Sequence, residues 1–500
     1  MNQKFDATKI PTYALKVARI LINEGFDCYL VGGSVRDNLL GITQYDIDFT
    51  TNALPTEIQK LESFPKSVQI NERFGTIAAI VQDKFGENHT VEITTYRKEE
   101  DYASGRWPAK VEFGIRLEED LARRDFTINS MCIDMKPVVQ DYLDGKLDKA
   151  QVEIIDLFGG QSDLKNKIIK AVGNPIERFS EDGLRSIRAI RFASTLGLKI
   201  EPETYVAISK TLHVTEKISI ERFRDEFLKI IYKSPKPSIG IRLLKDTGIL
   251  KIFIPELLEG INVTQIAFHV HDVFDHSLAT LDVAEDKVKI AALFHDIGKP
   301  RCDTHDGHFF GHDQVGAQMT KEILTRLHLP KDEVERNVKL VQEHMFYYPY
   351  NEFDVKFVEN KIESFDLTLS QKEDKLKLIR SDKFSQGWSD GAIRRFIRKV
   401  GIENIEDIFR LRIADATSNP KSAWDPTEIE RLQYRISKVL EQDNAFKVTD
   451  LEITGNDLLE LGFSGKKIGE VLNKLLELVM DDVSLNEKDK LIQIVKERYI

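Results

Sequence analysis

The chain has 500 residues and a formal net charge of −11, with 31% charged and 41% hydrophobic residues. This length predicts three or four domains. Because no apolar run could span a bilayer and no signal peptide is evident at residues 1–10, we expect a soluble, cytoplasmic protein without membrane contacts. The acidic total argues against general affinity for nucleic acids, yet residues 165–233 carry 14 Lys and Arg against 9 Asp and Glu. The sequence therefore predicts one local basic surface.

A glycine turn follows the first predicted strand. Residues 27–32 are mostly apolar and predict a short buried strand. Gly32 and Gly33 then predict a turn whose bare backbone amides can approach a phosphate. A short helix that carries Arg36 follows and ends at Gly41. This arrangement suggests a phosphate-binding turn.

Two carboxylates come next. The alternation of residues 46–49 predicts a strand with Asp46 and Asp48 on one face. Such a pair suits Mg²⁺, and two ions about 3.5–4 Å apart can activate a hydroxyl and stabilise a leaving phosphate. An isolated D-x-D more often lines a solvated edge strand, but the glycine turn upstream favours metal. Glu92, on a predicted strand at 89–95, is either a third carboxylate of this site or an exposed charge.

The order G-G-x-V-R-D, short helix, D-x-D resembles the head of the class II tRNA nucleotidyltransferase and bacterial poly(A) polymerase superfamily. The resemblance implies a small mixed-sheet head, CTP and ATP as substrates, tRNA as partner and Mg²⁺ as cofactor. In the loop at 94–114, Arg106, Pro108, Val111 and Phe113 match the family's R-x-P and V-x-F pattern. This match favours a complete CCA-adding enzyme over a relative that adds only C.

The next polar stretch resembles the family's second motif. Arg123 and Arg124 are planar donors suited to a triphosphate, and Asn129, four residues beyond Asp125, could hold the sugar hydroxyl. The same charges would also suit a surface helix with i,i+4 pairs such as Glu119 with Arg123. Their position after a phosphate turn and a D-x-D favours the nucleotide-binding interpretation.

A helix predicted to begin at Ser180 carries a row of charged residues. Ser180 can cap it, Asp182 and Arg185 are three residues apart on one face, and Arg188 and Arg191 continue the row. An aspartate accepts from an exocyclic amine while an arginine donates to the adjacent ring nitrogen. Cytosine and adenine both match that pattern, whereas uracil and guanine present the reverse. The resemblance gives this base-reading role to the family's E-D-x-x-R motif; an ordinary amphipathic helix with an ion pair is the alternative.

Nine of the 11 histidines lie in residues 269–344, and this concentration indicates metal binding. His276 and the pair His295 and Asp296 resemble elements of the HD phosphohydrolase superfamily, and Asp415 is the candidate for its distant aspartate. Such ligands would hold one or two divalent ions that activate water against a phosphoester. Further candidate ligands for a second ion are His305, His308, His312 and His344.

The sequence thus predicts an α+β protein: a nucleotidyltransferase head at 1–150, a helical nucleotide-reading and RNA-binding neck at 151–265, an HD domain at 266–420 and a helical tail at 421–500. The predicted function is template-independent addition of C, C and A to tRNA 3′ ends, with a phosphohydrolase activity of the HD region as a second expectation. Three alternatives stay open: an enzyme that adds only A, a bacterial poly(A) polymerase, and an HD metal phosphohydrolase whose head only binds nucleotide.

Overall fold

The computed structural model describes residues 4–42, 46–61, 64, 67–71, 75–100, 110–147, 151–264, 271–304, 308–346, 348, 368–373, 388–419, 427–442 and 446–500. The chain forms two compact units, Met1–Pro255 and Glu256–Ile500. All of the described strands belong to the first unit, and the described part of the second is helical. The predicted α+β class is confirmed. None of the described helices is long and apolar enough to cross a lipid bilayer.

The first unit is built on a mixed sheet. The described strands are, in chain order, β1 (Phe5–Asp6), β2 (Tyr29–Val31), β3 (Ile47–Thr51), β4 (Ser67–Asn71), β5 (Thr76–Gln82), β6 (Asn88–Thr95), β7 (Arg97–Glu100), β8 (Lys110–Phe113), β9 (Met131–Asp134), β10 (Gln151–Val152), β11 (Ile155–Asp156), β12 (Ile168–Ile169) and β13 (Lys199–Ile200). Seven of them form one sheet in the order β11-β9-β2-β3-β6-β5-β4. Within it β3 and β6 run parallel, whereas the other pairs are antiparallel.

The alternation predicted for the D-x-D strand is confirmed. Ile47 and Phe49 are each 1% exposed and face the core, whereas Asp48 points to the opposite face. The parallel register sets Asp48 beside Glu92 on β6. Strands β7 and β8 form an antiparallel hairpin that contains Val111. Arg106 and Pro108, which we assigned to the family's loop, lie outside the described residues.

Helices surround this sheet and then continue the first unit. In chain order they are α1 (Thr12–Asn23), α2 (Gly33–Leu39), α3 (Pro55–Ile58), α4 (Leu117–Ala122), α5 (Met135–Leu143), α6 (Gly160–Lys165), α7 (Pro175–Glu181), α8 (Leu184–Leu196), α9 (Pro202–Lys210), α10 (Leu212–Thr215), α11 (Ile220–Lys233), α12 (Pro237–Asp246) and α13 (Ile249–Phe253).

The prediction that a helix begins at Ser180 is wrong. Ser180 lies inside α7, where its hydroxyl donates to the Ile176 carbonyl at 2.7 Å. The chain leaves helical geometry at Asp182 (φ −145°, ψ 110°) and re-enters it at α8. A Cβ on Gly183 would lie 2.7 Å from the Thr215 Cα, so this break follows from close backbone packing that helical periodicity does not encode.

The second unit contains α14 (Val273–Val283), α15 (Lys289–Phe294), α16 (His312–Arg326), α17 (Lys331–Glu343), α18 (Asp390–Val400), α19 (Ile405–Ser418), α20 (Thr427–Leu440), α21 (Gly455–Glu460), α22 (Lys466–Asp481) and α23 (Lys488–Arg498). Helices α14, α15 and α19 pack together. His276 lies in α14, and His295 directly follows α15. Helices α21 to α23 share a separate apolar core that includes Leu475 and Leu491. The four-segment domain division stays a prediction.

Candidate functional site

One cavity of about 690 Å³ in the first unit gathers most of the predicted nucleotide-binding residues. Its lining includes seven arginines, two lysines and four aspartates, so positive charge predominates. The predicted residues that line it are Gly33, Arg36, Asp46, Asp48, Arg123, Arg124, Asp125, Asn129, Asp182, Arg185, Arg188 and Arg191. A cavity with such an excess of cations suits a polyanionic ligand.

The carboxylates form the acidic side of this cavity. Burial, and next the charge of Glu92, raise the pKa of Asp48 to about 6, and Arg124 partly opposes that rise. Asp46 is exposed just before β3, and its carbonyl accepts the Ser34 hydroxyl at 2.6 Å. Adjacent carboxylates that repel one another are a donor set that a divalent cation satisfies. Glu92 lies next to Asp48, and its role as a ligand stays a prediction.

The two glycines of the turn play different parts. Gly32 has φ +77°, and a Cβ there would lie 3.2 Å from Arg124 Nη1, so a side chain would meet both strain and crowding. The Gly32 N–H donates to the Met131 carbonyl at 3.3 Å. It is therefore engaged by the polypeptide, whereas Gly33 begins α2 and lines the cavity.

A buried carboxylate orients the two arginines of the second motif. Asp120 is fully buried and accepts Arg123 Nε and Nη2 at 2.9 and 2.8 Å, and it lies 3.4 Å from Arg124 Nη2. Burial would raise the pKa of Asp120, but the charges of Arg123 and Arg124 outweigh it and lower that pKa. Arg124 Nε is buried without a hydrogen-bond partner among the described residues. The i,i+3 partner of Arg123 is thus Asp120, whereas Glu119 accepts the Arg116 N–H.

A chain of hydrogen bonds links α2 to α8 across the cavity. Arg36 Nη1 donates to Asn129 Oδ1 at 2.6 Å, Asn129 Nδ2 donates to Asp125 Oδ1 at 3.0 Å, and Arg188 Nε donates to Asp125 Oδ2 at 2.8 Å. Asn129 is 6% exposed. Burial opposes ionisation of Asp125, but Arg188 and the Asn129 hydrogen bond lower its pKa to about 2. These residues therefore support one another as well as line the site.

Asp182 and Arg185 pair with other residues, so the ion pair between them that the alternative interpretation implies is not formed. Arg222 Nη2 donates to Asp182 Oδ2 at 2.7 Å, while Asp182 Oδ1 accepts the Leu184 N–H, at the first residue of α8, at 3.0 Å. Arg185 instead pairs with Glu181 and donates through Nη2 to the Arg123 carbonyl at 3.1 Å. Both side chains still line the cavity, because the break at residue 183 changes their relative direction.

Sequence reasoning missed several lining residues. They are Leu184, Phe192, Thr195, Arg222, Lys229 and Lys233. The signal was present in α11, because residues 222, 229 and 233 recur at spacings of seven and four, which place them on one helix face.

The histidine-rich segment folds into a buried cluster in the second unit. His276 Nε2 lies 3.0 Å from Asp415 Oδ1 and 3.3 Å from His295 Nε2. The two histidines are each 1% exposed. Asp415 comes from α19 and is 139 residues away from His276 in sequence. The structure therefore places the distant aspartate that the sequence suggested beside the two histidines. These three groups are close enough to share one metal ion.

A second group adjoins the first through Asp296. Its Oδ2 lies 3.2 Å from His295 Nε2, while its Oδ1 lies 3.5 Å from His312 Nε2 and 3.6 Å from His344 Nε2. Both of those Nε2 atoms are buried without a hydrogen-bond partner in the described parts of the chain. Their Nδ1 atoms bond the Phe309 and Val341 carbonyls, which orients Nε2 toward Asp296. His308 is exposed, and His305 lies outside the described residues.

The donor set of this cluster fits divalent metal. Without an ion, the acids hold the pKa of His295 at about 10 although its burial would lower that pKa. Burial, and to a lesser extent the charge of His295, lower the pKa of His344, although Asp296 opposes this shift. Four imidazoles and two carboxylates, of which Asp296 turns one oxygen to each group, match the ligands that transition metals favour.

Three parts of the chain match known family models. Residues 28–170 match the poly A polymerase head domain, residues 197–260 match the probable RNA and SrmB-binding site of polymerase A, and residues 261–383 match the HD domain. The three models match different parts of the chain, and each covers less than half of it.

Two curated relatives that match part of this chain are named CCA-adding enzymes. The chain is 45% identical to the one from Ligilactobacillus salivarius over 239 residues, which is 48% of this chain and 53% of that protein. It is 41% identical to the Bacillus subtilis enzyme over 223 residues, 45% of this chain and 51% of the relative. The chain therefore spans about half the length of the curated relatives it matches. The Bacillus stearothermophilus CCA-adding enzyme in complex with CTP shares the fold, with a TM-score of 0.62 at 24% identity over 97% of this chain and 98% of that one.

Proposed function

We propose that this protein adds C, C and A to the 3′ end of tRNA from CTP and ATP without a nucleic-acid template. The observation that carries the proposal is the single cavity in which Asp46 and Asp48 face an excess of arginines next to Asp182 and Arg185. A nucleoside triphosphate offers matching chemistry: phosphates for the arginines and a base edge for the Asp and Arg pair. The Ligilactobacillus salivarius and Bacillus subtilis relatives are named for the same activity.

Seven of the residues that line the cavity have a role in nucleotide addition. Arg123 and Arg124, oriented by Asp120, bind the triphosphate, and Gly33 lets its phosphates approach the backbone. Asp182 accepts from the base amine, and Arg185 donates to the ring nitrogen. Asp46 and Asp48 would hold Mg²⁺, which when bound favours attack by the terminal ribose hydroxyl on the α-phosphate with release of pyrophosphate.

The alternative functions would use the same cavity. An enzyme that adds only A would use the same Asp182 and Arg185, and a poly(A) polymerase shares the head and neck motifs. The HD segment, the net charge of −11 and the relatives' names favour CCA addition. We also propose that the protein acts in the cytoplasm on tRNA.

The test uses the full-length protein with Mg²⁺ and three tRNA transcripts, which end before CCA, after the first C and after CC. CTP and ATP are supplied singly and together, with UTP and GTP as controls. We expect two C and one A on the shortest transcript and no further growth. Addition of A to the CC-ended transcript alone would identify an A-adding enzyme, and long A tails on any RNA would identify a poly(A) polymerase.

We propose in addition that the histidine cluster binds two divalent ions and hydrolyses a phosphoester. His276, His295 and Asp415 would hold one ion, and His312 and His344 the other, with Asp296 shared. The observation that supports two ions is the pair of buried Nε2 atoms of His312 and His344 without hydrogen-bond partners. Such ions activate water for attack on phosphorus.

Metal analysis of the purified full-length chain tests this assignment. Apart from any ion held at Asp46 and Asp48, we expect two ions per chain in the unaltered protein, one in His344→Ala, and none in Asp296→Ala. His328→Asn is the control, because His328 is exposed and has φ +55°, which Asn tolerates. One ion in both the unaltered protein and His344→Ala would contradict the second site.

A further inference from the structure

An aromatic ring lies among the arginines of the nucleotide cavity. The Phe192 ring has the guanidinium carbons of Arg191, Arg36 and Arg188 at 3.7, 4.9 and 5.3 Å from its centroid. All three distances fall within the range of cation–π attraction. Phe192 is 4% exposed and lines the cavity itself. Arg36 comes from α2 and the other two arginines from α8, so the ring lies where two separate elements deliver positive charge.

Three guanidinium groups so close together repel one another. Carboxylates compensate part of this repulsion: Asp37 pairs with Arg36, Asp125 with Arg188, and Glu226 with Arg191. The compensation is incomplete, since burial and then the charge of Arg188 lower the pKa of Arg191. A further carboxylate would hold the arginines but would also cancel the charge that a polyphosphate needs. The face of a ring attracts cations and carries no net charge, so it can order them without neutralising them.

The ring itself is held in place by other aromatic side chains. Phe126 meets it edge to face, with centroids 5.9 Å apart and an interplanar angle of 84°. Phe126 in turn meets Phe179 edge to face at 6.4 Å. Phe126 and Phe179 are fully buried, so the ring of Phe192 has little freedom to turn away from the arginines.

We propose that Phe192 is a positioning residue whose ring orders Arg36, Arg188 and Arg191 for the phosphates of a bound nucleoside triphosphate. This inference rests on the proposed function, because it assigns the triphosphate to the arginine side of the same cavity. A phenylalanine at position 192 has two features that the sequence alone does not distinguish. One is a bulky apolar side chain for the core, and the other is an aromatic face for cations.

The test replaces Phe192 in the full-length chain by phenylalanines with one, two and three ring fluorines. Fluorination weakens the attraction of the ring for cations while it nearly preserves shape and apolarity. We expect the KM for CTP and ATP, and the Kd for inorganic tripolyphosphate, to rise stepwise to about tenfold with three fluorines. The kcat and the melting temperature should stay close to those of the unaltered protein. Phe192→Leu should show a rise at least as large.

The matched control is the same fluorine series at Phe227. This residue is 1% exposed in α11 and stacks on Phe223 with centroids 5.5 Å apart. We expect no stepwise change in tripolyphosphate affinity there.

The outcomes separate this inference from the proposed function. If the unaltered protein adds CCA but the Phe192 series leaves KM and tripolyphosphate affinity unchanged, the inference is wrong and the function stands. An equal rise in the Phe227 series would also overturn it. If the protein does not add CCA, yet tripolyphosphate affinity falls with fluorination at Phe192 alone, the proposed function is wrong and the positioning role stands.

Discussion

The arginine-lined cavity and the histidine cluster differ in how their buried charges are paired. In the cavity, cations outnumber carboxylates, and Arg124 Nε and Arg222 Nη1 are buried without hydrogen-bond partners among the described residues. In the cluster, Asp296 and Asp415 face imidazoles, and Lys299 donates to Asp296 at 2.6 Å. The first site is prepared for an anionic ligand, whereas the second is a set of metal donors that pair with each other when no ion is bound.

Net charge follows the same division but does not explain it. Residues 1–255 contain 37 Lys and Arg and 37 Asp and Glu, while residues 256–500 contain 34 and 45. The entire excess of −11 therefore lies in the second unit. The first unit is neutral overall, and its polyanion site arises because side chains on α2, α8 and α11 turn toward one cavity. Local arrangement, more than total charge, decides what this protein can bind.

The largest expected effect comes from the acidic side of the cavity. Asp48→Asn keeps the shape of the side chain but removes a ligand charge, and metal stabilisation of a phosphoryl transition state is worth several kcal/mol. We expect nucleotide incorporation to fall by at least about 10³-fold in a primer-extension assay. The metal content of the histidine cluster should not change. Asp83→Asn, on the turn after β5, is the control; a similar loss there would contradict the assignment.

A second, smaller effect concerns base choice. Asp182→Asn keeps an oxygen acceptor for the Leu184 N–H but places an amide nitrogen, which donates and does not accept, opposite Arg222. We expect the preference for CTP and ATP over UTP and GTP to fall by about 10–100-fold, the cost of one good base contact. The ratio of kcat/KM values for the four nucleotides measures it. Unchanged ratios would show that Asp182 does not read the base.

Stability should respond to Asp125 with a defined pH dependence. Its pKa of about 2 in the folded state lies below the ordinary value of 3.8, so its stabilising contribution is present above pH 4 and is lost as the pH falls toward 2. Asp125→Asn should therefore cost roughly 2 kcal/mol near neutral pH. The gap between the two proteins should close below pH 4. Denaturation midpoints from pH 7 down to pH 3 measure this, and a constant gap would contradict it.

The smallest expected effect belongs to the lysines on the cavity rim. Lys229 and Lys233 contribute partly exposed charges, each worth about 1 kcal/mol toward a phosphate about 4 Å away in water. Each change to Ala should raise the KM for ATP by about fivefold at low salt, and the difference should shrink at high salt. Lys217→Ala, on the exposed surface, should leave KM unchanged.

The local motifs of the site could be predicted from the sequence. Asp46 with Asp48, and His276 with the adjacent His295 and Asp296, lie where short patterns placed them, because such patterns express strand alternation and neighbouring ligands. The partner of Asp182 could not be predicted. It depends on the approach of Gly183 to the Thr215 backbone, a tertiary contact between segments 32 residues apart.

The break before α8 limits how this protein can be engineered. Asp182 uses one carboxylate oxygen to accept the Leu184 N–H and the other to bond Arg222, so it serves both the backbone and the site. In a library that varies this position without restriction, most members would lose the bond to the Leu184 N–H, at a cost of about 1 kcal/mol. Designs for altered nucleotide choice should therefore keep a short acceptor such as Asn or Ser there and place their diversity at Arg185 and Arg222.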